Sequence, residues 1–139
     1  KIKGLRYMPN KSRLIVAETE PYLQVILDAA LGESAKVEHI SQSKECLAEL
    51  ENVGAVFVDL MLDDLDGLSL IETIRLRDRE LPIIAFVTQN EIVSLNIQEA
   101  ATRAMAEHSG ADAVFFAPFN LGEILHATNR LLLPVAEIA

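Results

Sequence analysis

Three features of the chain predict a doubly wound α/β domain with a mostly parallel sheet. Five short apolar runs alternate with five helical patterns from end to end. The third run, Ala55–Val58 (AVFV), is apolar at every position, as a central strand buried on both faces must be. Parallel neighbours need crossover connections, and the intervening segments have the length and periodicity of helices that would cover both faces. The chain has 139 residues, half of them apolar and 24% charged, which suits one globular domain. A chain of that size buries about 68–70% of its unfolded surface and holds a core without staples.

The elements follow in order. Arg13–Ala17 (RLIVA) reads as a buried strand. Pro21–Leu31 reads as a helix with Pro21 at its first position, Leu23, Ile26, Leu27 and Leu31 on its apolar side and Gly32 as a stop. Ala35–Ile40 alternates more weakly, as an edge strand does, and Ser43–Leu50 is a short helix with Cys46, Leu47 and Leu50 on one side. After AVFV, Leu68–Leu76 is helical, Pro82 opens a strand at Ile83–Val87, and a long helix runs from about Ile92 to Ser109 before Gly110. Ala113–Phe116 (AVFF) is the fifth strand and Leu121–Leu132 the last helix. Phe115 and Phe116 are adjacent, so they point to opposite faces. The expected organisation is a basic lead-in or linker at 1–12, the domain at 13–133 and a tail or junction at 134–139.

Charge narrows the function. The first thirteen residues carry five cations and no acid, and the remainder holds seven cations against twenty-one acids. So acidic a body repels phosphate backbones, and no nucleic-acid binding by this domain is expected. No apolar run reaches ~18 residues, so no membrane span is expected, and the location expected is cytoplasmic. The single Cys46 excludes a disulfide framework, while His39, His108 and His126 stand apart rather than at metal-ligand spacing. Cys46 reads as inert core, and His108 as favourable to the negative end of a helix dipole. Nucleotide-loop and hydrolase motifs are absent. Asp64, Asp66 and Gly67 resemble the centre of a calcium loop, but Leu62 and Thr73 fall where its first and last ligands belong. Asp63, Asp64 and Asp66 therefore read as solvated turn acids.

In doubly wound sheets ligands bind beyond the carboxyl ends of the strands, where strand order reverses. Those ends carry Glu18-Thr19-Glu20, Asp59, Thr88 and Ala117-Pro118-Phe119. A carboxylate directly after an all-apolar strand is costly to bury without compensation, so Asp59, with Glu18 on the adjoining strand end, marks the candidate site.

At these residues the chain resembles the receiver domains of two-component response regulators, over about Arg13 to Leu133. The resemblance rests on AVFVDLMLDDLDGLSLI, LPIIAFVT, GADAVFFAPFNLGEIL and RLIVAETEPYL, in that family's order and on the expected elements. It implies a flavodoxin-like fold with an extended fourth helix and a signalling module rather than an enzyme. Asp59 takes the phosphoacceptor position, and Mg²⁺ would be held by Glu18, Asp59 and the Met61 backbone carbonyl. The implied partners are a histidine kinase, a phosphotransfer protein or an output domain, with a homodimer as a further option.

The sequence departs from the family pattern at four places. Thr19 stands where the family has its second metal acid, and Ala117 where it has the lysine that pairs with phosphoryl oxygens. Counting from Pro82 puts the switch hydroxyl on Val87, one place before Thr88, unless a one-residue bulge restores Thr88 as the phosphoryl contact. Counting back from Pro118 puts the switch aromatic on Val114. Ala117–Pro118 is a candidate cis bond. The expectation is an atypical receiver that binds Mg²⁺ weakly or not at all and works through protein contacts. Its alternatives are a phosphorylation-competent receiver and an unrelated ligand-binding or enzymatic domain of the same architecture.

Overall fold

A computed structural model of the chain describes residues 13–32, 35–62, 67–88 and 96–132. The apolar runs form five parallel strands, β1 (Arg13–Ala17), β2 (Lys36–Ile40), β3 (Val53–Asp59), β4 (Ile83–Val87) and β5 (Ala113–Phe116), in the order β2-β1-β3-β4-β5. The crossovers carry α1 (Tyr22–Leu31), α2 (Ser43–Ala48), α3 (Gly67–Arg77), α4 (Asn96–Ser109) and α5 (Leu121–Leu132). The predicted fold class is borne out, with α4 the longest helix among the described residues. No helix among them is long and apolar enough to cross a membrane.

Alternation along the strands builds two cores. Leu14, Val16, Ala55, Phe57, Ile84 and Phe86 pack with Leu23, Leu27 and Leu31 of α1 and Ile124 and Leu132 of α5. Ile15, Ala17, Val56, Val58, Ile83, Ala85, Val87 and Val114 pack with Cys46 of α2, Leu70, Ile71 and Ile74 of α3 and Ala106 of α4. Phe115 joins the first core and Phe116 the second, so adjacent rings do face opposite ways.

Several boundaries differ from expectation. Strand β3 is longer than AVFV: pairing with β1 begins at Val53, and pairing with β4 carries the strand to Asp59, its last residue. Pro21 precedes the helix as its cap residue instead of opening it. Helix α2 stops at Ala48, and Leu47 and Leu50 still pack on the core. The expected helical residues before Asn96, the turn acids Asp63, Asp64 and Asp66, and the lead-in and tail lie outside the described residues. The Ala117–Pro118 bond is cis.

Candidate functional site

The strand order reverses between β1 and β3, since β2 lies on one side of β1 and β3 on the other. A crevice opens beyond the carboxyl ends of two such strands because their crossovers leave to opposite faces. Glu18 follows β1 and Asp59 ends β3, so the two acids meet at that crevice. Alternation also sets the side on which each residue projects. Glu18 continues the series Leu14, Val16; Asp59 continues Ala55, Phe57; Thr88 continues Ile84, Phe86; and Ala117 continues Ala113, Phe115. The ladder extends one step past the strands, with the Glu18 amide on the Ile40 carbonyl at 3.1 Å and the Ala117 amide on the Val87 carbonyl at 3.0 Å. These four residues therefore share the α1/α5 side of the sheet at its carboxyl end.

A cavity of about 400 Å³ lies there, lined by Glu18, Thr19, Glu20, Tyr22, Asp59, Met61 and Thr88. All four residues singled out from the sequence (Glu18, Asp59, Met61 and Thr88) are brought together in it. The Thr88 hydroxyl donates to Asp59 Oδ2 at 3.0 Å, and the Met61 amide donates to Asp59 Oδ1 at 2.9 Å. No bulge is needed for the Thr88 contact, because the pairings of β4 with β3 and β5 run without a register shift. Val87, the position reached by counting from Pro82, is buried in the opposite core. The fixed count fails because Thr88 lies one residue beyond the strand, on the side of the sheet that Asp59 occupies.

Glu18 has a second role that sequence reasoning missed. Its Oε1 accepts the Leu23 amide and its Oε2 the Gln24 amide, both at 2.8 Å. Helix α1 begins after Pro21, whose ring offers no capping oxygen, so a carboxylate from the end of β1 satisfies the first-turn amides. A proline at a helix start with an acid three residues upstream was the available signal. Burial raises the Glu18 carboxyl above its ordinary range; the Leu23 and Gln24 amides and His39 oppose the rise, and Asp59 adds to it. Gly67 is required nearby, since a Cβ there would stand 2.5 Å from Leu60 Cα and 2.7 Å from the Asp59 carbonyl oxygen. The bare glycine lets the start of α3 close against the backbone that carries Asp59.

Among the described residues, no three acid, histidine or cysteine side chains converge as a metal-binding group. Mg²⁺ demands near-octahedral oxygen donors. Here Glu18 spends both oxygens on α1, and the neighbouring Thr19 offers a neutral hydroxyl that is buried without a hydrogen-bond partner.

A parallel five-stranded sheet in this order, with an acid pair at its switch point, defines a flavodoxin-like α/β domain. The particular family follows from comparison: residues 14–129 match the model of the response regulator receiver domain, and the chain belongs to that family. It is 28% identical over 123 residues to the transcriptional regulatory protein TrcR of Mycobacterium tuberculosis, covering 86% of this chain and 45% of that protein. It is 27% identical over 128 residues to the transcriptional regulatory protein AruR of Pseudomonas aeruginosa, covering 86% of this chain and 49% of that one. The chain thus spans about half the length of these relatives. Among solved structures, the BeF3-activated DrrB receiver domain has a TM-score of 0.74 at 20% identity, covering 88% of this chain and 97% of that one. A response regulator receiver domain protein from Clostridium thermocellum has a TM-score of 0.72 at 16% identity, covering 87% and 94%. These likenesses concern the fold.

Proposed function

We propose that this receiver acts in two-component signalling chiefly by binding other proteins, with Asp59 at the phosphoacceptor position of an incomplete site. One observation carries the reading. Glu18, Asp59 and Thr88 line one cavity, and Ala117, the residue after β5, brings a methyl group where the resemblance implies a lysine. A fixed cation stabilises negative charge that develops on a phosphoryl group in transfer, so its loss slows the reaction steeply. Thr19 removes one metal charge as well. Mg²⁺ binding at Glu18, Asp59 and the Met61 carbonyl is weak or absent in this reading. The partner is a histidine kinase, a phosphotransfer protein or an output domain such as the regulatory relatives suggest, and the location is cytoplasmic. Incubating the chain with a small acyl phosphate and Mg²⁺, followed by intact-mass measurement, tests this. Little or no adduct is expected, and rapid stoichiometric labelling at Asp59 overturns it.

The Thr88–Asp59 hydrogen bond favours a second reading, a phosphorylation-competent receiver. An Asp59 carboxylate oxygen would bond to phosphorus as the donor's P–O bond breaks and its acyl carboxylate leaves. The Thr88 hydroxyl would then donate to a phosphoryl oxygen. In this reading labelling is prompt and Thr88→Ala slows it; labelling indifferent to Thr88 excludes this role for the hydroxyl.

A further inference from the structure

We propose that Glu18 makes the first turn of α1 a sensor of the negative charge held at Asp59: the more charge the strand-end cavity holds, the weaker the grip of Glu18 on that turn. The grip is distinctive in where it comes from. Helix α5 is capped by the residue beside it, Asn120 Oδ1 accepting the Glu123 amide at 3.0 Å, and Glu123 puts an acid in its first turn. Pro21 gives α1 no side-chain cap, and the first turn of α1 carries no acid. The Tyr22 amide turns back on the Glu20 carbonyl at 2.7 Å, and the next two amides, Leu23 and Gln24, both rest on the one Glu18 carboxylate. Helix α1 therefore starts on a group that belongs to the end of β1 and lines the same cavity as Asp59.

Both acids are buried, Glu18 to 1% exposure and Asp59 to 8%. Charges so placed are poorly screened by salt and act on each other through a medium far less polar than water. Repulsion from Asp59 works against the charged carboxylate that α1 relies on, and His39 of β2 acts the other way. The turn held in this manner is part of the cavity wall. Glu20 and Tyr22 line the cavity, and the Tyr22 ring lies 6.4 Å from that of Phe119, which meets Phe86 of β4 edge-on at 5.3 Å. Adding negative charge beside Asp59 loosens this wall where α1 begins, and removing charge tightens it. The device uses the charge of Asp59 itself, with no phosphoryl group and no metal, so it goes beyond the receiver reading.

Amide exchange at Leu23 and Gln24, read by NMR on the whole chain without phosphodonor or divalent cation, tests the coupling. Asp59→Asn keeps an acceptor for the Met61 amide but removes the charge, and it should slow both amides about threefold while α5 amides hold their rates. Thr88→Asp adds a second acid and should speed the same two amides about threefold; the neutral Thr88→Val should move them far less. The slowing caused by Asp59→Asn must vanish in a Glu18→Gln background, where the carboxylate that carries the coupling is gone. Equal exchange in Asp59→Asn and the unaltered chain overturns the proposal. So does a slowing shared by α5, or one that persists in the Glu18→Gln background, since either reports general stability. Should Thr88→Asp fail to fold, the Asp59→Asn comparison decides alone. Acyl-phosphate labelling is read separately, so a failure of the receiver readings leaves this outcome distinguishable.

Discussion

The two ends of the sheet treat their carboxylates in opposite ways. At the amino end, Arg13 donates to both oxygens of Glu38 at 2.9 Å and to Glu49 at 3.2 Å, and Arg75 donates to Asp112 at 3.0 Å. At the carboxyl end, no lysine or arginine lines the cavity among the described residues, and the Glu18 oxygens take backbone amides. The contrast appears in their acidity: Arg13 lowers the Glu38 carboxyl, whereas burial raises that of Glu18. Guanidinium pairing fastens the amino end as scaffold. The other end holds its buried acids with backbone amides and the Thr88 hydroxyl instead.

The largest effect should come from erasing that contrast. Ala117→Lys places an amine on the side of the sheet that Asp59 occupies and should speed labelling by a small acyl phosphate about 100-fold. The amine should also draw the Glu18 carboxyl down towards its ordinary range, visible by carbon-detected NMR titration. A labelling rate equal to that of the unaltered chain would show that the missing cation is not what limits the site.

Next in size is Glu18→Gln, which separates the capping role from the charge. A carboxamide has one acceptor oxygen, so either the Leu23 or the Gln24 amide loses its partner in a buried setting. Relief from burying an anion offsets part of the loss, and a net destabilisation of about 1–2 kcal/mol in urea unfolding at neutral pH is expected. Full stability in this variant would mean that water or another group caps α1 as well as the carboxylate does.

What the sequence disclosed and what it hid have physical causes. AVFV, IIAFV and the leucines of α1 revealed the architecture, because a parallel sheet buried on both sides demands uninterrupted apolar runs. Asp59 and Glu18 were visible for the same reason: a charge at the end of such a run stands out. The Thr88 contact was obscured because the switch hydroxyl was counted from Pro82, and a fixed count does not register that Thr88 lies past the strand on the side of Asp59. The bond from Glu18 to α1 was hidden because Pro21 read as the first helical position, a reading that gives no role to an acid three residues upstream. Nothing in the sequence singled out Arg75 or Arg103, because their partners lie 35 and 11 residues away and only the folded chain brings them within reach.

The smallest effect tests the amino end by pH. Glu38 has a folded value below its unfolded value near 4.5, so the stability it contributes is present above that value and is lost as pH falls through the lowered one. Glu18 has the opposite sign: its folded value is raised, so its contribution is full below about 4.5 and is lost as pH rises through the raised value. Acidification therefore weakens one end while relieving the other. Replacing Glu38 by Gln removes the first of these and leaves the second. The variant should be less stable at neutral pH by only about 0.5 kcal/mol, since the Arg13 pair is partly open to solvent. Its stability should also fall less steeply than that of the unaltered chain as pH drops below 4.5. Urea unfolding across that range, repeated in high salt to screen the pair, reads both. Parallel pH curves for the two proteins would show that the guanidinium adds no acid-sensitive stability and that the ends differ in geometry alone.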